Sequence, residues 1–124
     1  MGDVLHHLWF VCTLPDDHGR VVTVNLTSFD SCVDPTCLIV PGEHRFVRHD
    51  SLIHYQLGRL RDVEKIELAV AKGLFSFDDR ASPTSGSWAS DALIARIRAG
   101  ALRSEFTRGD VRKAIENCPW TFSA

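Results

Sequence analysis

Apolar and polar residues alternate through much of the first half of the chain, and a two-residue period predicts strands. Leu5 to Leu14 is rich in aromatic and β-branched residues and reads as the first strand. Pro15-Asp16-Asp17-His18-Gly19 has turn chemistry: proline, acidic side chains, and a glycine able to take positive φ. Arg20 to Ser28, RVVTVNLTS, is a second strand with Val22, Val24 and Leu26 on one face and Thr23, Asn25 and Thr27 on the other. Folding the two into a hairpin pairs Leu8 with Leu26, Phe10 with Val24 and Cys12 with Val22. The same register sets His7 opposite Thr27 and Trp9 opposite Asn25. A slip of two residues would keep the faces and change the partners, so the faces are the better determined.

After a loop from Asp30 to Thr36, Cys37-Leu38-Ile39-Val40 predicts a short strand stopped by Pro41-Gly42. Phe46-Val47 suggests another short piece. Leu52 to Leu57 alternates again, with Ile53, Tyr55 and Leu57 facing one way and Leu52, His54 and Gln56 the other. Val63, Ile66, Leu68 and Val70 suit either a short helix or a strand, with a helical turn after Asp62 favoured. Ser76 to Ser90, SFDDRASPTSGSWAS, has linker composition. Beyond it Leu93, Ile94 and Ile97 fall at helical spacing. They predict a helix from Asp91 to Ala99, capped by Ser87 or Ser90 and stopped by Gly100. Thr107-Arg108-Gly109-Asp110 has the form of a capping box with Asp in place of Glu, opening a helix that carries Val111, Ala114 and Ile115 and ends near Pro119. The expected class is α+β, mainly β. A small barrel of five or so strands occupies 1–75, a linker 76–90, and a helical hairpin packed on the barrel 91–124, in one compact domain.

At 124 residues the chain can bury a core without staples, and 44% apolar against 24% charged content excludes wholesale disorder. The start, MGDVLHHLWFVC, has neither a basic segment nor a long apolar run, so no signal peptide is expected. No stretch approaches the roughly 20 apolar residues of a membrane span. A cytoplasmic location follows, with Cys12, Cys32, Cys37 and Cys118 expected reduced. The net charge of −2 speaks against a general nucleic-acid coat. Charge is unevenly placed, however: Arg96 to Lys113 carries six basic residues against Glu105 and Asp110. A weakly acidic chain can still present a basic face.

Cys12 falls within apolar alternation and reads as a small core residue. Four residues separate Cys32 from Cys37, and no Cys-x-x-Cys or His-Glu-x-x-His occurs, so neither a metal nor a cofactor is expected. A Gly-x-Ser-x-Gly elbow, a Walker loop and a dinucleotide fingerprint are all missing. Chemistry concentrates instead in Pro41 to Val63, which holds His44, His49 and His54 with Arg45, Arg48, Arg59 and Arg61. Acid–base cleavage of RNA uses the substrate's own 2′-hydroxyl as nucleophile, so the protein supplies a base, an acid and a cation. Histidine titrates near neutrality and arginine grips phosphate in a fork. With His7 added, this stretch holds that inventory.

The order of elements resembles the MazF/PemK family of toxins from toxin–antitoxin pairs. The matching pieces are His7-Leu8-Trp9-Phe10-Val11, then Val22-Thr23-Val24-Asn25-Leu26-Thr27-Ser28, Asp50-Ser51-Leu52-Ile53-His54-Tyr55-Gln56 and Gly58-Arg59-Leu60-Arg61-Asp62-Val63. The likeness covers roughly residues 5 to 70 and rests on pattern and order. It implies an SH3-like barrel, a homodimer, an antitoxin protein as partner, and metal-independent hydrolysis of single-stranded RNA as an endoribonuclease. Thr27 and Ser28 match the family's catalytic Thr/Ser position. Where the family has a catalytic arginine this chain has His6-His7. The expected catalytic set is therefore His7 and His49 as acid and base with Thr27 as orienter. Ser28, Arg45, Arg48, Ser51, His54 and Arg59 are expected on RNA, with Arg48 or Arg59 on the phosphate. A different reading makes the barrel inert and lets Arg96, Arg103 and Arg112 of the C-terminal helices dock on a protein or nucleic-acid partner.

Overall fold

The computed structural model describes residues 8–31, 33–44, 47–73 and 90–118. Strands β1 (Trp9–Val11), β2 (Arg20–Ser28), β3 (Leu38–Ile39) and β4 (Ser51–Asp62) form one antiparallel sheet in the order β1-β2-β4-β3. Helices α1 (Val63–Ala71), α2 (Asp91–Arg103) and α3 (Gly109–Glu116) follow. The class is α+β, as expected. Among the described residues, however, the sheet is open, with β1 and β3 as its edges. β3 pairs only Leu38 and Ile39 with β4, too short a ladder to carry the sheet round to β1. The composition-based linker falls on residues outside the described ones, apart from Ser90.

The β1–β2 hairpin has the predicted register. Phe10 pairs with Val24 and Trp9 with Asn25, while Leu26 N–H donates to the Leu8 carbonyl and Cys12 N–H to that of Val22. Its turn is built by Asp16, whose Oδ1 accepts from the His18 and Arg20 amides, with Gly19 at φ +72°. The Arg20 amide bond is the main cause holding the Asp16 carboxyl below its ordinary pKa.

β4 departs from simple alternation. Thr23 pairs with Arg59 and Asn25 with His54, so two residues of β2 span five of β4. The surplus forms a bulge at Tyr55–Gly58 that switches the facing of everything beyond it. Ile53 and Tyr55 face the core as predicted, but Leu57 lies on the bulge and is exposed. Arg59 fastens the bulge by donating to the Gln56 and Gly58 carbonyls at 2.9 and 2.8 Å. After Asp62 the helical alternative wins, as α1.

Gly100 does not stop α2, which runs on to Arg103. The glycine serves packing instead. A Cβ there would meet the Tyr55 hydroxyl and come within 3.3 Å of the Cys37 Cβ. The absent side chain lets α2 lie directly on Tyr55, whose hydroxyl donates to the Ile97 carbonyl at 2.7 Å. Ser90 caps α2 through the Leu93 amide at 3.1 Å, one of the two predicted caps. The Thr107 capping box does not form. Arg108 occupies the cap position of α3, and Thr107 Oγ1 is buried without a hydrogen-bond partner.

One core results. Phe10, Cys12, Val22, Val24, Ile53 and Tyr55 from the sheet meet Leu93, Ile94, Ile97 and Ala101 of α2 and Val111 and Ile115 of α3. Cys12 is a core residue, as read from the sequence, and burial pushes its thiol pKa up to about 12. Polar ties fix the helices. Arg98 donates to the carbonyls of Cys12, Ile115 and Cys118, joining the end of β1 to the end of α3. Buried Asp34 accepts from Thr36 and from Ser104, the residue that closes α2.

Two predictions follow from this packing. Gly100→Ala should lower stability by about 3 kcal/mol in a denaturant titration, and Tyr55→Phe by about 1 kcal/mol. Combined, the two should cost less than their sum by at least about 1 kcal/mol, because removing the hydroxyl makes room for the new methyl.

The second concerns Glu43, which accepts from Arg96 at 2.6 Å and from the Val40 amide at 2.8 Å. The Arg96 hydrogen bond is the first cause holding its carboxyl below the ordinary 4.5. A depressed folded pKa stabilises the protein above the ordinary value, and that contribution disappears as pH falls through the folded one. Glu43→Gln should therefore cost up to about 1 kcal/mol at neutral pH. The gap to the parent should close in melts taken progressively below the ordinary pKa.

Candidate functional site

The end of β2 and the start of β4 run antiparallel at one end of the sheet. Thr27 pairs with Leu52 and Ser28 with Ser51, and the Phe29 amide donates to the Asp50 carbonyl at 3.2 Å. The pairing brings four of the sequence-predicted residues together: Thr27, Ser28, His49 and Ser51. His49 is exposed, with Nδ1 at 3.1 Å from the Asp50 carbonyl and 3.4 Å from Ser51 Oγ. A carbonyl partner requires the hydrogen on Nδ1, which leaves the lone pair on Nε2 to accept a proton. Ser51 is buried and donates to the His49 carbonyl at 2.9 Å, so it shapes the turn that presents the imidazole.

Thr27 is half-buried, and no hydrogen bond holds its hydroxyl among the described residues; Ser28 is exposed. Arg48 is exposed and has no ion pair among the described residues. His54 sits opposite Asn25 on the face that also carries Thr27. Arg59 is opposite Thr23, four residues along β2 from Thr27 and so roughly 13 Å away. With its bulge-fastening bonds, it is the predicted RNA contact that geometry ties most closely to structure. His7 and Arg45 lie outside the described residues. His44 is in the core, edge-on to Phe10 with ring centroids 5.8 Å apart.

The basic helices present fewer free cations than their sequence suggests. Arg96 pairs with Glu43 and donates to the Leu38 carbonyl, and Arg112 donates to the carbonyls of Leu102 and Ser104. Arg103 is exposed and, unlike the other two, makes no ion pair or hydrogen bond among the described residues.

Elsewhere, a groove of about 660 Å³ runs between the Pro15–Gly19 turn and α3, lined by Asp16, Arg20, Asp110 and Lys113 among others. It includes none of the predicted site residues. Among the described residues no three His, Cys, Asp or Glu side chains gather as a metal site would require.

Sequence reasoning missed two features of the sheet face that carries Thr27. Arg61 stacks over Trp9 with its guanidinium carbon 4.9 Å from the ring centroid. Asn25 is buried there with Oδ1 unpartnered. Hairpin parity gives Trp9 beside Asn25, but the bulge that brings Arg61 round to Trp9 has no signal in the alternation. Compared with protein-family models, with curated proteins and with solved structures, the chain matches none.

Proposed function

We propose that this chain is a MazF/PemK-like toxin of a toxin–antitoxin pair, a cytoplasmic endoribonuclease that cleaves single-stranded RNA without a metal. The four strands are read as the greater part of a small SH3-like barrel, with a homodimer and a protein antitoxin as the corresponding assembly. One observation carries the reading: the Ser28–Ser51 pairing sets the Thr27 hydroxyl and the His49 imidazole at one end of the sheet, beside exposed Arg48.

In the chemistry this supports, His49 Nε2 takes the proton of a ribose 2′-hydroxyl. The 2′-oxygen attacks the adjacent phosphorus, and the bond from phosphorus to the 5′-oxygen breaks. His7, protonated, gives its hydrogen to that departing oxygen, leaving a 2′,3′-cyclic phosphate and a free 5′-hydroxyl. Thr27 orients the phosphate, and Arg48 offsets the charge that builds on its oxygens. The engaged guanidiniums of Arg96 and Arg112 weigh against the reading in which the helices act as a docking surface.

Incubation of the protein with labelled single-stranded RNA in chelator should yield cyclic-phosphate ends. His49→Ala should reduce the rate at least about 100-fold while leaving the melting temperature close to the parent's, because the imidazole is exposed. His7→Ala should do the same. Undiminished cleavage in either variant rules out that residue's role, and undiminished cleavage in both rules out the mechanism.

A further inference from the structure

On the sheet face turned away from α2 and α3, three strands set Trp9, Asn25 and His54 in one row, since Trp9 pairs with Asn25 and Asn25 with His54. Arg61 covers the Trp9 ring, and its Nε donates to Thr23 Oγ1 at 3.0 Å, which holds the guanidinium in place. Asn25 is 6% exposed, and its Oδ1 has no hydrogen-bond partner. An unpaired buried amide oxygen destabilises the fold, and asparagine is a poor strand residue. Threonine would suit the strand better and would bury a smaller polar group in place of the amide. The need that asparagine meets here is therefore not packing.

We propose that this row is a base subsite, which takes one unstacked nucleobase of a single-stranded RNA. The base lies against the Trp9–Arg61 stack, and its exocyclic amine donates to Asn25 Oδ1. Aromatic and guanidinium planes are the usual platforms for unstacked bases. Adenine fits, because its N6 amine donates to the amide oxygen while N7 accepts from the amide N–H, and cytosine offers the same pair through its N4 amine and N3. Uracil sets a carbonyl oxygen where adenine has the amine, leaving acceptor against acceptor. His54 ends the row beside Asn25, is half-buried, and makes no hydrogen bond among the described residues, so the proposed subsite needs only a turn of its imidazole for the base to reach Asn25. Thr27 follows Asn25 by two residues on the same face, about 7 Å along the strand. One extended nucleotide spans that distance, so the subsite adjoins the bond to be cut. The inference takes its ligand class from the ribonuclease reading but needs no cleavage to be tested.

The test is an anisotropy titration of the full chain with short 2′-O-methyl homopolymers of A, C, G and U, which lack the attacking hydroxyl and stay intact. The A polymer should be held at least about tenfold more tightly than the U polymer. Asn25→Thr should bring the two within about twofold while raising the melting temperature, a pairing that a merely structural asparagine would not give. Trp9→Leu should weaken every polymer by about tenfold; if it does not fold, Asn25→Thr carries the test alone. Retention without base preference, or a preference that survives Asn25→Thr, overturns the subsite and leaves the ribonuclease reading standing. No retention of any polymer overturns both.

Discussion

The close approach of α2 to Tyr55 at Gly100 is the contact on which the rest of the structure depends. A helix can lie this near a strand only where one residue lacks a Cβ, and the Tyr55 hydroxyl then reaches the Ile97 carbonyl. Burial raises the phenol pKa well above its ordinary value, so it stays a neutral donor. Everything that faces α2 follows from this contact. Ile97 and Ala101 share one core with Ile39 and Ile53, and the C-terminal end of α2 is brought to Asp34, which Ser104 reaches at 2.6 Å. Helices and sheet are thereby halves of one core, since neither apolar face is covered without the other.

The arginines show how that arrangement divides structural from chemical charge. Arg98, Arg96, Arg112 and Arg59 all direct guanidinium hydrogens at backbone carbonyls, at strand ends, at helix ends or at the bulge. Arginine suits this work because its rigid fork satisfies several oxygens that no backbone amide reaches. What remains available to a polyanion is smaller than the composition suggests. Arg48 and Arg103 are arginines that are exposed and make no ion pair among the described residues, and Arg61 is positioned by a ring and a hydroxyl rather than by an acid.

Local periodicity made the hairpin and its faces legible, because a strict two-residue pattern on either side of the Pro15–Gly19 turn sets apolar against apolar, while the choice among registers two residues apart belonged to the fold. It also located the C-terminal helices and the residues that face their core. It failed where tertiary contact overrides local preference. Gly100 looks like a terminator to helix rules, yet the helix continues because its removal of a Cβ is worth more than its conformational freedom costs. Thr107 looks like a cap, but α3 begins two residues later, where the chain can still pack Val111 and Ile115 inward. The bulge in β4 is the deeper failure: alternation written on Ile53, Tyr55 and Leu57 gives no warning that three residues loop out. For the candidate site the residue types at His49 and Thr27 were legible, while their placement at the same end of the sheet needed the β2–β4 register and Arg59's local role needed the bulge.

The bulge matters most for what it does to the second face. With simple alternation beyond His54, Arg59 and Arg61 would point into the core, where two unpaired cations could not be buried. The step from His54 to Arg59 is five positions against two on β2, and that odd surplus of three turns both outward, onto the side of Trp9, Asn25 and Thr27. One local irregularity thus keeps the packing face apolar and gathers cation, aromatic ring, amide and hydroxyl on the other. The orphan amide oxygen of Asn25 sits on that second face, away from the α2 contact, where its penalty does not weaken the packing on which the fold depends. A sheet that holds its stability on one side can tolerate a costly polar group on the other, and such tolerance is what a binding face requires.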